Sequence, residues 1–120
     1  MSTTFRSDRA AEAIRATVAK VLTEEVADPR LKFVTITACE VSHDLQNAKL
    51  FYTVLGDEEA REQAQQGFDR AKPFIRSRVG QEVPLRAVPE LQFRYDRSAD
   101  NAMRIDEILS GLPELKRDEG

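Results

Sequence analysis

The sequence holds a single cysteine, Cys39, and a single histidine, His43. One cysteine makes no internal disulfide, so a reducing, cytoplasmic compartment is the expectation. One histidine beside one cysteine makes no zinc site, and neither a metal nor a cofactor is expected. No apolar run approaches the roughly 18 residues that a membrane span needs. The start, "MSTTFRSDRAAEAIR", turns polar and charged at once, so no secretory signal is expected. There is no P-loop and no GxGxxG. The tripeptide Ser42-His43-Asp44 is a poor triad, because triads are assembled in space and adjacent side chains point apart. Nothing marks Cys39 as activated. These absences exclude most chemistry. A non-catalytic, monomeric binding protein is expected, with no small-molecule substrate and no membrane.

What is present is charge, unevenly placed. The 120 residues carry 18 Lys+Arg against 21 Asp+Glu. Residues 1–69 hold 8 against 12, residues 70–97 hold 7 against 3, and residues 98–120 hold 3 against 6. A basic block therefore sits inside an acidic chain. It can attract a polyanion that the average charge would not; the plainer reading is a solvated face. Arg70, Lys72 and Arg76 could project together from one segment. Arg94 alternates with Phe93 and Tyr95, which puts it on the open face of a strand. Arginine suits phosphate because its planar fork donates two parallel hydrogen bonds. Arg78 falls between Phe74 and Ile75 on a helical wheel and is expected to be structural, its stem covering core.

Periodicity divides the chain into elements. Ser7 is a candidate N-cap. After it Ile14, Val18, Val21, Leu22 and Val26 recur at helical spacing. The helix should end near Ala27, since Asp28 precedes Pro29. Glu24, Glu25 and Asp28 then lie where the helix dipole disfavours negative charge. Segment 32–41 alternates, with Val34, Ile36 and Ala38 on one face. Segment 47–55 does the same with Leu50, Tyr52 and Val54. The short polar stretch between them implies an antiparallel hairpin. Asp57 can cap a helix that carries Ala60, Ala64, Phe68 and Ala71 on one stripe. Pro73 interrupts it, so two helices are expected, about 58–71 and 73–79. Phe74, Ile75 and Val79 should face the core, and Gly80 should take the left-handed C-terminal position. Leu91, Phe93 and Tyr95 mark a half-buried strand, with Pro89 at a bulge or edge start. Ser98 opens a last helix with Ile105, Ile108, Leu109 and Leu112. Residues 1–112 form one domain and 113–120 a tail.

Helices covering one face of a three-stranded sheet make an α+β domain. This order is that of a KH-like domain, type II-like, an RNA-binding arrangement. The usual GXXG clamp is missing. Ala71-Lys72-Pro73 stands in its place, as an interhelical kink.

Five segments together resemble the bacterial ribosome-binding factor A family. They are "DPRL" (28–31), "VSHDLQNAKLFYTVL" (41–55), "FIRSRVG" (74–80), "RAVPELQFRYDRS" (86–98) and "MRIDEIL" (103–109). The resemblance covers nearly the whole chain, in order. It implies a KH-like fold and an assembly factor that binds the maturing 30S ribosomal subunit and 16S rRNA without catalysis. It also implies a link to rRNA end processing and to growth in the cold. The family's kink has the form Ala-x-Gly; here Pro73 takes the glycine's place, and Ala102 stands where glycine often precedes "MRI". The family's basic surface maps onto Arg6, Arg9, Arg76, Arg78, Arg86 and Arg104. Arg70, Lys72, Arg94 and Arg97 join that rRNA-binding set on charge placement alone. Three other readings compete, the weakest an enzyme that would lose its activity on replacing His43 or Asp44. A general RNA-binding KH-like module would bind unrelated RNA equally well. A protein-interaction adaptor, not tied to the ribosome, would bind through its acidic helix faces.

Overall fold

The computed structural model describes residues 2–98. The expected last helix and the tail 113–120 lie outside those residues, as do Ala102 and Arg104. The elements run α1 (Ser2–Glu24), a short 3-10 helix (Pro29–Leu31), β1 (Val34–Val41), β2 (Asn47–Val54), α2 (Glu58–Glu82) and β3 (Glu90–Tyr95). The sheet order is β1-β2-β3. β1 and β2 are antiparallel, as the hairpin reading requires, and β3 runs parallel to β2. A parallel neighbour needs a crossover, and α2 supplies it. Both helices lie on the apolar face of the sheet, which is the KH-like arrangement of an α+β domain.

α1 presents Ala10, Ile14, Val18, Val21 and Leu22 to the core. Ser7 is not its N-cap. It lies inside α1 and is buried, three residues before Ala10 on the same stripe. The helix also stops earlier than expected, at Glu24, where the Glu25 and Val26 N–H groups both donate to the Val21 carbonyl. Asp28 then works as a cap for the 3-10 helix: its carboxylate accepts from the Arg30 N–H at 2.9 Å, and Pro29 fills a first-turn position that needs no N–H. Leu31 is thereby driven into the core.

In the sheet, Leu50 and Tyr52 turn inward as expected, with Ala48 beside them and Val54 half-buried. β1 departs from simple alternation. A bulge at Thr37 shifts the register between Ile36 and Ala38. An extra residue reverses which face the following side chains occupy. Ala38 therefore pairs with Phe51 on the open face, and Cys39 and Val41 turn to the core instead. The Thr37 hydroxyl is tied to Asp96 Oδ2 at 2.6 Å. The hairpin loop is held by Ser42, which donates to Asp44 Oδ1 and accepts from the Asn47 N–H. His43 is an exposed loop residue.

α2 begins on Asp57, whose side chain accepts from the Ala60 N–H at 3.1 Å. It then runs as one helix through Pro73 rather than as two. Proline removes the N–H that would bond the Asp69 carbonyl, at a cost of about 3 kcal/mol. Asp69 and Pro73 are both exposed, so water can take that carbonyl. Ala64 and Phe68 before the proline, and Ile75 and Val79 after it, are fully buried. A single helix keeps that apolar stripe unbroken. Gly80 is helical and not left-handed. Its bareness has another use: a Cβ there would stand 2.8 Å from Val88 Cγ2. Phe74, expected in the core, is 45% exposed.

The core is centred on three rings. Phe68 stacks on Phe93 at 4.2 Å between centroids and meets Tyr52 at 4.8 Å. The Tyr52 hydroxyl reaches out of this cluster to Gln65 Oε1 at 2.8 Å, which satisfies the one polar atom the ring buries.

Candidate nucleic-acid interface

Seven of the candidate cations lie within residues 70–97. On α2 the helical period separates them, since residues two apart diverge by roughly 200°. Arg70 and Arg78 turn toward the end of α1 and the 3-10 helix. Lys72 and Arg76 turn the other way, toward β3. Lys72 Nζ lies 3.7 Å from Glu90 Oε2. Arg76 donates from Nε to the Pro89 carbonyl at 3.2 Å and from Nη2 to the Val88 carbonyl at 2.9 Å. Its fork thus holds the segment entering β3, and among the described residues it forms no ion pair. The sequence block is therefore not one patch in space, contrary to the expectation that Arg70, Lys72 and Arg76 project together.

Arg78 is structural, as its wheel position indicated, though its partners were not foreseen. Its guanidinium forks onto Glu25 at 2.7 and 3.0 Å and also reaches Glu82 at 3.2 Å. This gives Glu25 its reason for lying at the end of α1. The hydrogen bonds from Arg78 hold the Glu25 carboxyl below its usual range, and those to Glu25 raise the guanidinium further. Asp28 is likewise held low, first by the Arg30 side chain, at 3.0 and 2.8 Å, and next by the Arg30 backbone N–H.

The remaining candidates are dispersed. Arg94 is exposed on the open face of the sheet, opposite Phe51 in register, and donates to Gln92. Arg9, on α1, is exposed, as are Arg86, between α2 and β3, and Arg97, just past β3. Arg70 is exposed and forms no hydrogen bond or ion pair among the described residues. Arg6 and Arg104 lie outside the described side chains. The helix side and the open sheet face thus both carry cations, with the sheet between them.

Sequence reasoning missed a groove of about 640 Å³ between the Asp28 turn and α2. Gly67 lets the turn sit close to the helix: a Cβ there would meet Leu31 Cγ at 3.0 Å and Arg30 Cβ at 3.3 Å, and the turn would have to give by a few tenths of an ångström. Arg30, Arg70 and Phe74 line the groove. The Asp-Pro pair at the turn was the one signal in the sequence. The exposure of Phe74 had none, because its apolar character fits core equally well.

Among the described residues no group of three or more His, Cys, Asp or Glu could hold a metal, and no helix is long and apolar enough to cross a membrane. Burial, and then the neighbouring Glu40 carboxylate, push the Cys39 thiol up to about 12, away from reactivity.

Comparison with known proteins is direct. The family profile described as ribosome-binding factor A matches residues 6–109. Ribosome-binding factor A of Desulfitobacterium hafniense is 40% identical over 116 residues, covering 96% of this chain and 93% of the relative. The solution structure of a candidate ribosome-binding factor A from Thermotoga maritima is 31% identical, with a TM-score of 0.67 over 74% of this chain and 85% of that one. Thermus thermophilus coordinates fitted into a cryo-electron microscopy map of a 30S–ribosome-binding factor A complex share the fold. Their TM-score is 0.58 at 24% identity, over 71% of this chain and 89% of that one.

Proposed function

The chain belongs to the ribosome-binding factor A family, and from that membership we propose that it is an assembly factor that binds the maturing 30S subunit through 16S rRNA. The single observation that carries this is the family match across residues 6–109, which leaves few residues outside it. The Thermus relative, fitted into a map of its 30S complex, supports the same partner. In this reading the protein acts without catalysis, as a monomer in the cytoplasm, with residues 1–112 as one domain and 113–120 as a tail. It supports late maturation and rRNA end processing, including in the cold.

The proposed contacts are electrostatic. Of the rRNA-binding set, Arg70, Arg86, Arg94 and Arg97 are exposed and reach no carboxylate in an ion pair among the described residues. They are the cations best placed to meet phosphate. Arg76 contributes field while its fork holds the segment entering β3; Arg78, paired with Glu25 and Glu82, serves the fold. Cations on both sides of the sheet suit an RNA cleft that wraps the domain rather than a flat duplex. Phosphate contacts set position, and shape supplies specificity.

The test is co-sedimentation. Wild type should move with free 30S particles in a sucrose gradient of lysate. An Arg70→Glu/Arg94→Glu/Arg97→Glu variant, folded by circular dichroism, should stay at the top. Wild type at the top in growing and cold-shifted cells alike would remove ribosome binding.

A further inference from the structure

The groove beside α2 combines three features. It has an aromatic ring, Phe74, that is 45% exposed on a helix whose other large apolar side chains are buried. It has a cation, Arg70, on the same wall. Its two acids are already engaged: Asp28 with Arg30 at 2.8 Å, and Glu25 with Arg78 at 2.7 Å. Arg70 is thus the lining charge that forms no ion pair among the described residues, its field only adding to that of Arg30 on Asp28.

An exposed ring beside a guanidinium with its hydrogen-bond donors unused among the described residues has a specific complement. Unstacked bases lie on aromatic faces regardless of sequence, and arginine takes the adjoining phosphate. A base inside a duplex shows no face to such a ring. An acidic peptide would satisfy Arg70 but would gain little from the flat face of Phe74.

We infer that this groove is a binding site for one unpaired nucleotide of RNA, its base on the Phe74 ring and its phosphate on Arg70. The inference rests on the proposed rRNA-binding function and adds to it a single-stranded contact on the side of α2 that faces away from β3.

The probe is a fluorescein-labelled single-stranded hexa-adenylate, read by anisotropy, beside the same strand in a duplex. Wild type should prefer the single strand. Phe74→Leu keeps apolar bulk but loses the ring, and should weaken single-strand binding on the order of tenfold. Phe74→Tyr should restore it. Leu55→Ala, which removes a side chain 75% exposed and outside the groove, should change nothing. Arg70→Gln should flatten the salt dependence. Equal binding of single strand and duplex, or a Phe74→Leu variant that binds like wild type, overturns the inference. If Phe74→Leu lost 30S co-sedimentation but kept oligonucleotide binding, the groove would seat protein instead, which also overturns it. If wild type bound the probe through Phe74 but never moved with 30S, the ribosomal reading would fail while the nucleotide site stood.

Discussion

Arg78 and Glu25, 53 positions apart in the chain, close the joint between α2 and the end of α1 with two parallel hydrogen bonds of 2.7 and 3.0 Å. The geometry belongs to the fork, not only to the charge. Arg78→Lys keeps the charge and should still lower the melting temperature. Glu25→Gln should do the same. The double variant should lose less than the sum of the two, because each single change already breaks the pair. Thermal unfolding by circular dichroism checks this; full additivity would mean that the pair contributes nothing.

Two phenylalanines on α2 should behave oppositely. Phe68 is fully buried and stacks on Phe93, so Phe68→Ala should cost about 3–5 kcal/mol in urea unfolding. Phe74→Ala should cost about 0.5 kcal/mol or less, as a surface change. Similar losses for both would mean that Phe74 packs in the core in solution.

Gly67→Ala sets two effects against each other. Helix propensity favours alanine by about 1 kcal/mol. Against it, the new methyl would meet Leu31 Cγ at 3.0 Å, and overpacking a core contact costs about 1–3 kcal/mol. The expected outcome is net destabilisation, with a smaller penalty in a Leu31→Ala background, which lacks the contacting Cγ. A more stable Gly67→Ala would show that the Asp28 turn moves away freely.

Acid should loosen that turn. Hydrogen bonds from Arg30 hold the Asp28 carboxyl below its ordinary 3.8, so the folded chain resists protonation more than the unfolded one. The stability this contributes is complete above the ordinary value and is lost as pH falls through the lower folded value. Asp96, held low by Ser98 and then Thr37, adds to the same window. Asp28→Asn should therefore be less stable than wild type at pH 7, with the gap closing below about pH 4. A gap independent of pH in thermal melts would remove the ionic contribution.

Cys39 should be inert. With its thiol pushed up to about 12, the thiolate is scarce at pH 8. Labelling by a disulfide reagent should be roughly a hundredfold slower in the native protein than in urea. Equal rates would mean that β1 opens readily.

Much of the fold was legible because it is written in period. Leu50 and Tyr52, and then Leu91 and Phe93, alternate as strands on the sides the sequence indicates. Ile14, Val18 and Val21 recur as a helix. The failures have local causes. Proline argued for a break at Lys72, but the stripe from Ala64 to Val79 gains more from one continuous helix than a missing hydrogen bond costs. The bulge at Thr37 is set by pairing to β2, and pairing leaves no mark in the spacing of β1 itself. For the candidate site, the basic block was visible and its division was not. Arg70 and Lys72 are near neighbours in sequence, and the helix sends them to opposite flanks. The groove depends on Gly67 meeting a turn from a distant part of the chain, and no local pattern encodes that meeting.

The parallel pairing of β3 to β2 also orders events in time. α1, the hairpin and α2 leave the ribosome before Glu90 does, and the hairpin can close at once. Phe68 then has no Phe93 to stack on, and β2 keeps one bare edge. The core cannot be completed until β3 has been synthesised. A protein proposed to attend the birth of a ribosomal subunit thus closes its own core only after β3 has left a ribosome.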